Sequence, residues 1–165
     1  MKVQLPLSWS EIADDARIWL WASPEKLTDE TIQKIDDLMG DFVTRWTSHQ
    51  VALKAVSKVL HGHFVVVALD QSASTGASGC SIDSLTHQVQ GIAKALGVDL
   101  FDRSTFFFHK DGQIDLIKMT DIQKALSDGR ISNETMVYDT LIKSKYDLEH
   151  NWIKPAKDSW HARFL

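Results

Sequence analysis

The chain has 165 residues, 44% of them apolar and 24% charged, which fits one folded domain with its own core rather than a disordered chain. Eighteen Lys and Arg against 22 Asp and Glu leave a net charge of −4, which argues against a dedicated nucleic-acid binder. The single cysteine, Cys80, excludes an internal disulfide framework and suits a reducing compartment.

The N-terminus, Met1-Lys2-Val3-Gln4-Leu5-Pro6-Leu7-Ser8, lacks the continuous apolar stretch of a secretory signal. The most apolar run, Phe64 to Leu69, is far shorter than the roughly 20 residues that span a bilayer. A cytoplasmic protein without membrane or nucleic-acid partners is expected.

Residues 1–15 read as an irregular arm. Residues 17–22 (Arg-Ile-Trp-Leu-Trp-Ala) are aromatic and branched and suit a strand, stopped by Ser23-Pro24. Thr28 can cap a helix, with Asp29 and Glu30 favourable in its first turn. Ile32, Ile35, Met39, Phe42 and Trp46 then recur at steps of three and four, and Leu38 and Val43 widen the stripe toward the core. Residues 52–60 alternate lysines with apolar residues, the pattern of an edge strand. Residues 63–70 are almost continuously apolar, the pattern of a strand buried on both faces. His61-Gly62 is a hairpin signal between them. A polar loop, Gln71 to Gly79, leads to a second helix with Ile82, Leu85, Val89, Ile92, Ala93 and Leu96 on one side and Gly97 at its C-terminal cap.

Residues 105–110 and 113–118 read as strands joined by Asp111-Gly112, the strongest hairpin dipeptide in the chain. Thr120-x-x-Gln123 has capping-box spacing, and Gly129 closes the short helix that follows. Residues 135–142 suit another strand and 144–149 a short helix, before a tail carrying Trp152, Trp160 and Phe164.

The first 110 residues thus read β-α-β-β-α-β. The expected fold is α+β: a ferredoxin-like sheet over 16–110 with both helices on one face, and a β/α extension over 111–165, all within a single domain. In that arrangement the strands at 17–22 and 63–70 lie side by side. Arg17, Trp19, Trp21, Val65 and Val67 are expected on the face away from the helices. A surface so apolar calls for cover, either by the C-terminal tail or by a second copy in a homodimer.

The segment Asp70 to His87 is where chemistry is expected: an apolar strand ends in an acid, a small-residue loop follows, and a helix begins. Three readings compete. Free amides at the helix start attract a small polar or anionic ligand, with Ser72, Ser78, Gly79, Cys80, Ser81 and Asp83 as binding residues. Glycines 76 and 79 would let the backbone approach it. No Lys or Arg occurs between Gln71 and Ala93, so a cation would come from Arg17, Arg103 or Arg163. Alternatively Cys80 is a nucleophile favoured by the helix start, with Asp70 or His87 moving or orienting a proton. His87 lies about two turns along the helix, too far for direct pairing, so a base would come from His61, His63 or His109. A metal held by Asp83 and His87 at i, i+4 spacing is the weakest reading, since seven histidines produce such pairs by chance. No metal or cofactor is expected.

Several segments resemble a small uncharacterised bacterial family of similar length, some members of which are labelled "ABC transporter ATPase". These are Trp19-Leu20-Trp21, residues 42–49 (Phe-Val-Thr-Arg-Trp-Thr-Ser-His), 76–83 (Gly-Ala-Ser-Gly-Cys-Ser-Ile-Asp), 97–103 (Gly-Val-Asp-Leu-Phe-Asp-Arg) and 155–161 (Pro-Ala-Lys-Asp-Ser-Trp-His). The resemblance covers nearly all of the chain after residue 15 and hands over no catalytic residue. The chain carries neither G-x-x-x-x-G-K-S/T nor an L-S-G-G-Q-type signature, so a P-loop ATPase is not expected. The expectation is a domain binding a small polar or anionic ligand at 70–87. The alternative is a non-catalytic interaction or self-associating module using a Trp-rich sheet face.

Overall fold

The computed structural model describes residues 1–73 and 76–165. Ser74 and Thr75, part of the loop after Asp70, lie outside the described residues. The branched and aromatic run at 17–22 forms β1 (Arg17–Ala22) and the continuous apolar run forms β5 (Phe64–Asp70). They pair antiparallel, with Trp19 opposite Val67. The lysine-bearing run forms β4 (Lys54–Leu60) on the other side of β5, so the sheet order is β1-β5-β4. Every residue of β5 is buried, whereas β4 is the edge. The β4–β5 hairpin pairs Leu60 with Phe64, leaving three residues in its turn, and His61 and Gly62 both have positive φ. A short hairpin that the periodicity did not reveal, β2 (Thr47–Ser48) and β3 (Val51–Ala52), precedes β4, with His49 and Gln50 at positive φ.

α1 (Asp29–Arg45) starts at Thr28, whose Oγ1 accepts from the Thr31 amide at 3.2 Å. α2 (Gly79–Leu96) starts at Ser78 and ends at Gly97, whose φ of 65° is the left-handed conformation that closes a helix. Both helices cover one face of the sheet. Val65, Val67 and Leu69 pack there against Ile35, Met39 and Val43 of α1 and Leu85, Val89 and Ile92 of α2. Leu38 stays 41% exposed, so the apolar stripe of α1 is narrower than its spacing suggests.

Trp19 and Trp21 lie on this helix-covered face, half-buried, which corrects the expectation that they would lie on the opposite one. The Trp19 ring meets the edge of Trp46 at 5.8 Å, and Arg17 stacks over Trp19 at 4.5 Å. The register keeps Trp19 and Trp21 on the same side as Val67 and Val65, as expected, but that side, valines included, is the one α1 and α2 cover, while the arm and the C-terminal part cover the side of Ile18, Val66 and Ala68. The Trp-rich surface invoked for self-association is therefore already occupied by helices. The other face carries Ile18, Phe64, Val66 and Ala68 and is covered by Trp9 and Ile12 from the arm and Leu148 and Trp152 from the C-terminal part.

The strand at 105–110 does not join this sheet, and here the ferredoxin-like expectation is corrected. It forms β6 (Thr105–Lys110) of a second antiparallel sheet with order β7-β6-β8-β9, comprising β7 (Gln113–Lys118), β8 (Met136–Tyr138) and β9 (Ile153–Pro155). β1's outer edge is met instead at its two ends. The Ile18 amide donates to the Lys143 carbonyl at 2.9 Å, and Ala22 bridges Phe101. The Asp111-Gly112 turn secures β6 to β7, pairing Lys110 with Gln113. Both turn residues have positive φ, as a tight two-residue hairpin demands. β6 is apolar on both sides. Phe106 and Phe108 pack beneath α3 (Ile122–Ser127) and the C-terminal turn, while Phe107 meets Phe64 of the first sheet at 4.9 Å. Only a strand sandwiched between two layers accommodates that pattern.

Two local expectations also shift. Helix α3 begins after Asp121, so Thr120 is not its cap. The strand expected at 135–142 is the three residues of β8, and α4 (Lys145–His150) follows, capped by Ser144 accepting from the Asp147 amide at 3.1 Å. No helix among the described residues is long and apolar enough to cross a membrane.

Candidate functional site

Within 70–87, Asp70, Ser72, Ser78 and Ser81 carry hydrogen bonds that shape the fold. Asp70 is buried at the end of β5. One carboxylate oxygen accepts from the Ser72 amide at 3.0 Å and from the Ser72 hydroxyl. The other accepts from the Ala13 amide at 3.1 Å, with Lys54 Nζ at 3.5 Å. These contacts, Ser72's hydroxyl first, hold the carboxyl down at about 2 against an ordinary 3.8. Asp70 thereby ties the arm to the sheet and has no spare capacity to shuttle protons. Ser78 and Ser81 cap α2: Ser78 Oγ accepts from the Ser81 amide at 3.2 Å, and Ser81 Oγ donates to the Ser78 carbonyl at 2.8 Å. The Ser81 carbonyl accepts from the Trp46 indole at 2.9 Å, which joins the start of α2 to the end of α1.

Gly79 is exposed, and a Cβ there would meet nothing within 4 Å, so no close approach requires a glycine. Gly76 is buried, and its φ of 82° is a backbone requirement. Cys80, Asp83 and His87 are exposed on the helix. The histidines that a Cys80 thiolate would need are elsewhere: His61, His63 and His109 line a cavity to which Cys80 does not contribute. Among the described residues no three His, Cys, Asp or Glu side chains are grouped to hold a metal.

Asp70→Ala is expected to cost about 1–3 kcal/mol of stability, because the amides of Ala13 and Ser72 lose their acceptor. The sign with pH follows from the lowered pKa. The carboxylate's contribution is complete above the ordinary 3.8 and disappears as pH falls through about 2. Urea unfolding of the two proteins should therefore give curves that separate at neutral pH and converge in acid. Curves that stay parallel would assign Asp70 no such role.

A different set of residues encloses a cavity of about 390 Å³ where β1, the loop after α2 and the C-terminal turn meet. Two aspartates shape the loop. Asp99 Oδ1 accepts from the Phe101 amide at 2.9 Å, and Asp102 Oδ1 accepts from the Ser104 amide at 2.9 Å. Asp102 also accepts from the hydroxyls of Ser104 and Thr105 and lies 3.3 Å from Lys118 Nζ. Those donors outweigh its desolvation and hold its carboxyl far below the ordinary range. Asp102 is thus consumed in fixing the loop, and Arg103 beside it has no carboxylate partner among the described residues.

The opposite wall comes from the tail. Ser159 caps the turn Trp160–Phe164, its Oγ accepting from the His161 amide at 3.2 Å. Trp160 stacks on His161 at 4.0 Å and meets the edge of Phe106 at 5.2 Å. Its indole Nε1 is buried without an acceptor. Arg163 lies 5.5 Å from the Trp160 ring and 4.7 Å from Phe164, again without a carboxylate partner among the described residues. Trp21 and Phe101 complete an aromatic lining. Two unpaired guanidinium groups beside aromatic walls can hold a carboxylate or phosphate bidentately while its apolar part stacks.

Arg103 and Arg163 are 60 residues apart in the chain, and nothing local in the sequence pairs them. The local signal was the pair Asp99 and Asp102, each two residues before an amide that it binds; nothing local marked the approach of the tail. Compared with protein-family models, curated proteins and solved structures, the chain matches none.

Proposed function

We propose that this protein is a binding domain for a small anionic ligand with a flat apolar portion, held between Arg103, Arg163 and the rings of Trp21, Phe101 and Trp160. The observation that carries this reading is the two guanidinium groups, unpaired among the described residues, on one aromatic-walled cavity. A cavity of about 390 Å³ is within the size range of small-molecule sites. An anionic group is among the ligands expected from the sequence, at 70–87; the place proposed for it is instead the seam between the loop at 100–103 and the tail.

The test is calorimetric titration with 1-naphthoate and with its neutral amide, alongside adenosine monophosphate as a phosphate-bearing probe. The acid should bind at least about tenfold tighter than the amide. Arg103→Ala and Arg163→Ala should each weaken binding of the charged probes about tenfold. Equal binding of acid and amide, or no binding of any charged probe at millimolar concentration, would overturn the reading.

A further inference from the structure

A second cavity, of about 460 Å³, opens on the far side of the β4–β5 turn, and its chemistry is unlike that of the first. The turn brings His61 and His63 to its wall, β6 brings His109 and β8 brings Tyr138. Lys26 reaches it from the loop before α1, its side chain lying along Gly62, and Lys2 from the arm. No aspartate or glutamate lines it. Lys2 has a counterion outside the cavity, Glu149 at 3.3 Å, whereas Lys26 has none among the described residues. The Met1 amino group is taken up by the Ile153 carbonyl at 2.7 Å.

The imidazoles are held by contacts within the protein. His63 is buried, and its Nδ1 lies 3.0 Å from the Ser23 carbonyl. A carbonyl only accepts, so Nδ1 carries the hydrogen and Nε2 keeps its lone pair until it is protonated. The His61 ring meets Tyr138 at 5.6 Å and Trp152 at 5.3 Å. His109 Nδ1 lies 3.4 Å from the Tyr138 hydroxyl. Burial, reinforced by His109 and His63, pushes the His61 pKa down; burial does the same to His63, with Lys26 adding to it and the bond to Ser23 opposing it. Burial thus disfavours the protonated forms of His61 and His63, and no carboxylate on the cavity wall offsets it as a counterion. An anion placed among them supplies that counterion, and each imidazole that then takes a proton becomes a further donor to it.

We infer that this cavity is a second anion site, taking a tetrahedral oxyanion such as the phosphate group of a small molecule, and that it binds the anion together with protons. Affinity therefore rises as pH falls, independently of whatever occupies the arginine-lined cavity. Sulfate is the right first probe because it stays dianionic across the range, so any pH dependence belongs to the protein.

Calorimetric titration of sulfate is run on the Arg103→Ala/Arg163→Ala protein, so that ions held at the other cavity are not counted. Binding should be at least about tenfold tighter near about pH 5.5 than near about pH 7.5, with uptake of about one proton per sulfate read from two buffers of different ionisation enthalpy. His61→Gln and, separately, His63→Gln should cut the proton uptake by about half or more, in proteins whose circular dichroism is unchanged. A phosphate ester such as glycerol 3-phosphate that binds tighter than inorganic phosphate identifies the esterified group as the ligand; equal affinity identifies the free ion. No binding at tens of millimolar sulfate, binding without proton uptake, or uptake unaffected by both histidine variants would overturn the inference.

Discussion

Phe64→Ala is expected to be the most damaging core substitution, lowering the free energy of unfolding by about 3–5 kcal/mol. Phe64 is fully buried at the start of β5, where the two sheets meet. Its ring lies 4.9 Å from Phe107, 4.9 Å from Trp152 and 5.4 Å from Tyr138, so it touches β6, β8 and the turn before β9 at once. Alanine would leave a hole whose walls are three large rings on separate elements, and such rings cannot close in together without moving two sheets. Urea unfolding followed by tryptophan fluorescence measures the loss. A cost under about 1 kcal/mol would mean that the sheets do not depend on this contact.

The second large effect is acid destabilisation through His161. This residue is 2% exposed, stacked on Trp160 at 4.0 Å, with its Nδ1 2.8 Å from Ser159 Oγ. Burial is the main cause that pushes its pKa from 6.5 to about 4; Lys154 and Arg163 add to that and Asp139 opposes it. Above 6.5 the ring is neutral in both folded and unfolded chains. Below it, the unfolded chain takes up a proton that the folded chain refuses until about 4. Stability therefore falls across that window, by about 3 kcal/mol in all at about 1.4 kcal/mol per pKa unit. In His161→Gln the slope of unfolding free energy against pH should shrink, leaving a smaller part from His61 and His63, whose pKa values are also lowered. An unchanged slope would place the acid sensitivity elsewhere. Because His161 adjoins Trp160, the same acid range should loosen the wall of the arginine-lined cavity.

Most of the elements were legible in the residues because their signals are local. Thr28, Ser78 and Gly97 mark helix ends by bonds and dihedrals within a few residues of themselves. Asp111-Gly112 forms a turn that depends on no distant partner. The burial of β5 on both faces and the edge position of β4 follow from hydropathy alone, since a lysine-bearing strand and an all-apolar strand have different tolerance for water. Part of what makes Asp70 to His87 conspicuous is capping and anchoring: Ser78 and Ser81 cap α2 and Asp70 binds amides at a strand end, whether or not a ligand is near.

What sequence by itself determined here was the kind and order of most of the elements. Tertiary structure alone decided three things: that Trp19 and Trp21 face the helices, that β6 leaves the first sheet for a second, and that Arg103 meets Arg163 across a cavity. The physical reason is common to all three. A strand's period tells which residues share a side but not which side is covered, and a strand apolar on both faces is satisfied by any sheet that offers two neighbours and two layers. Residues 60 positions apart in the chain come together only through packing of everything between them, which no local pattern encodes.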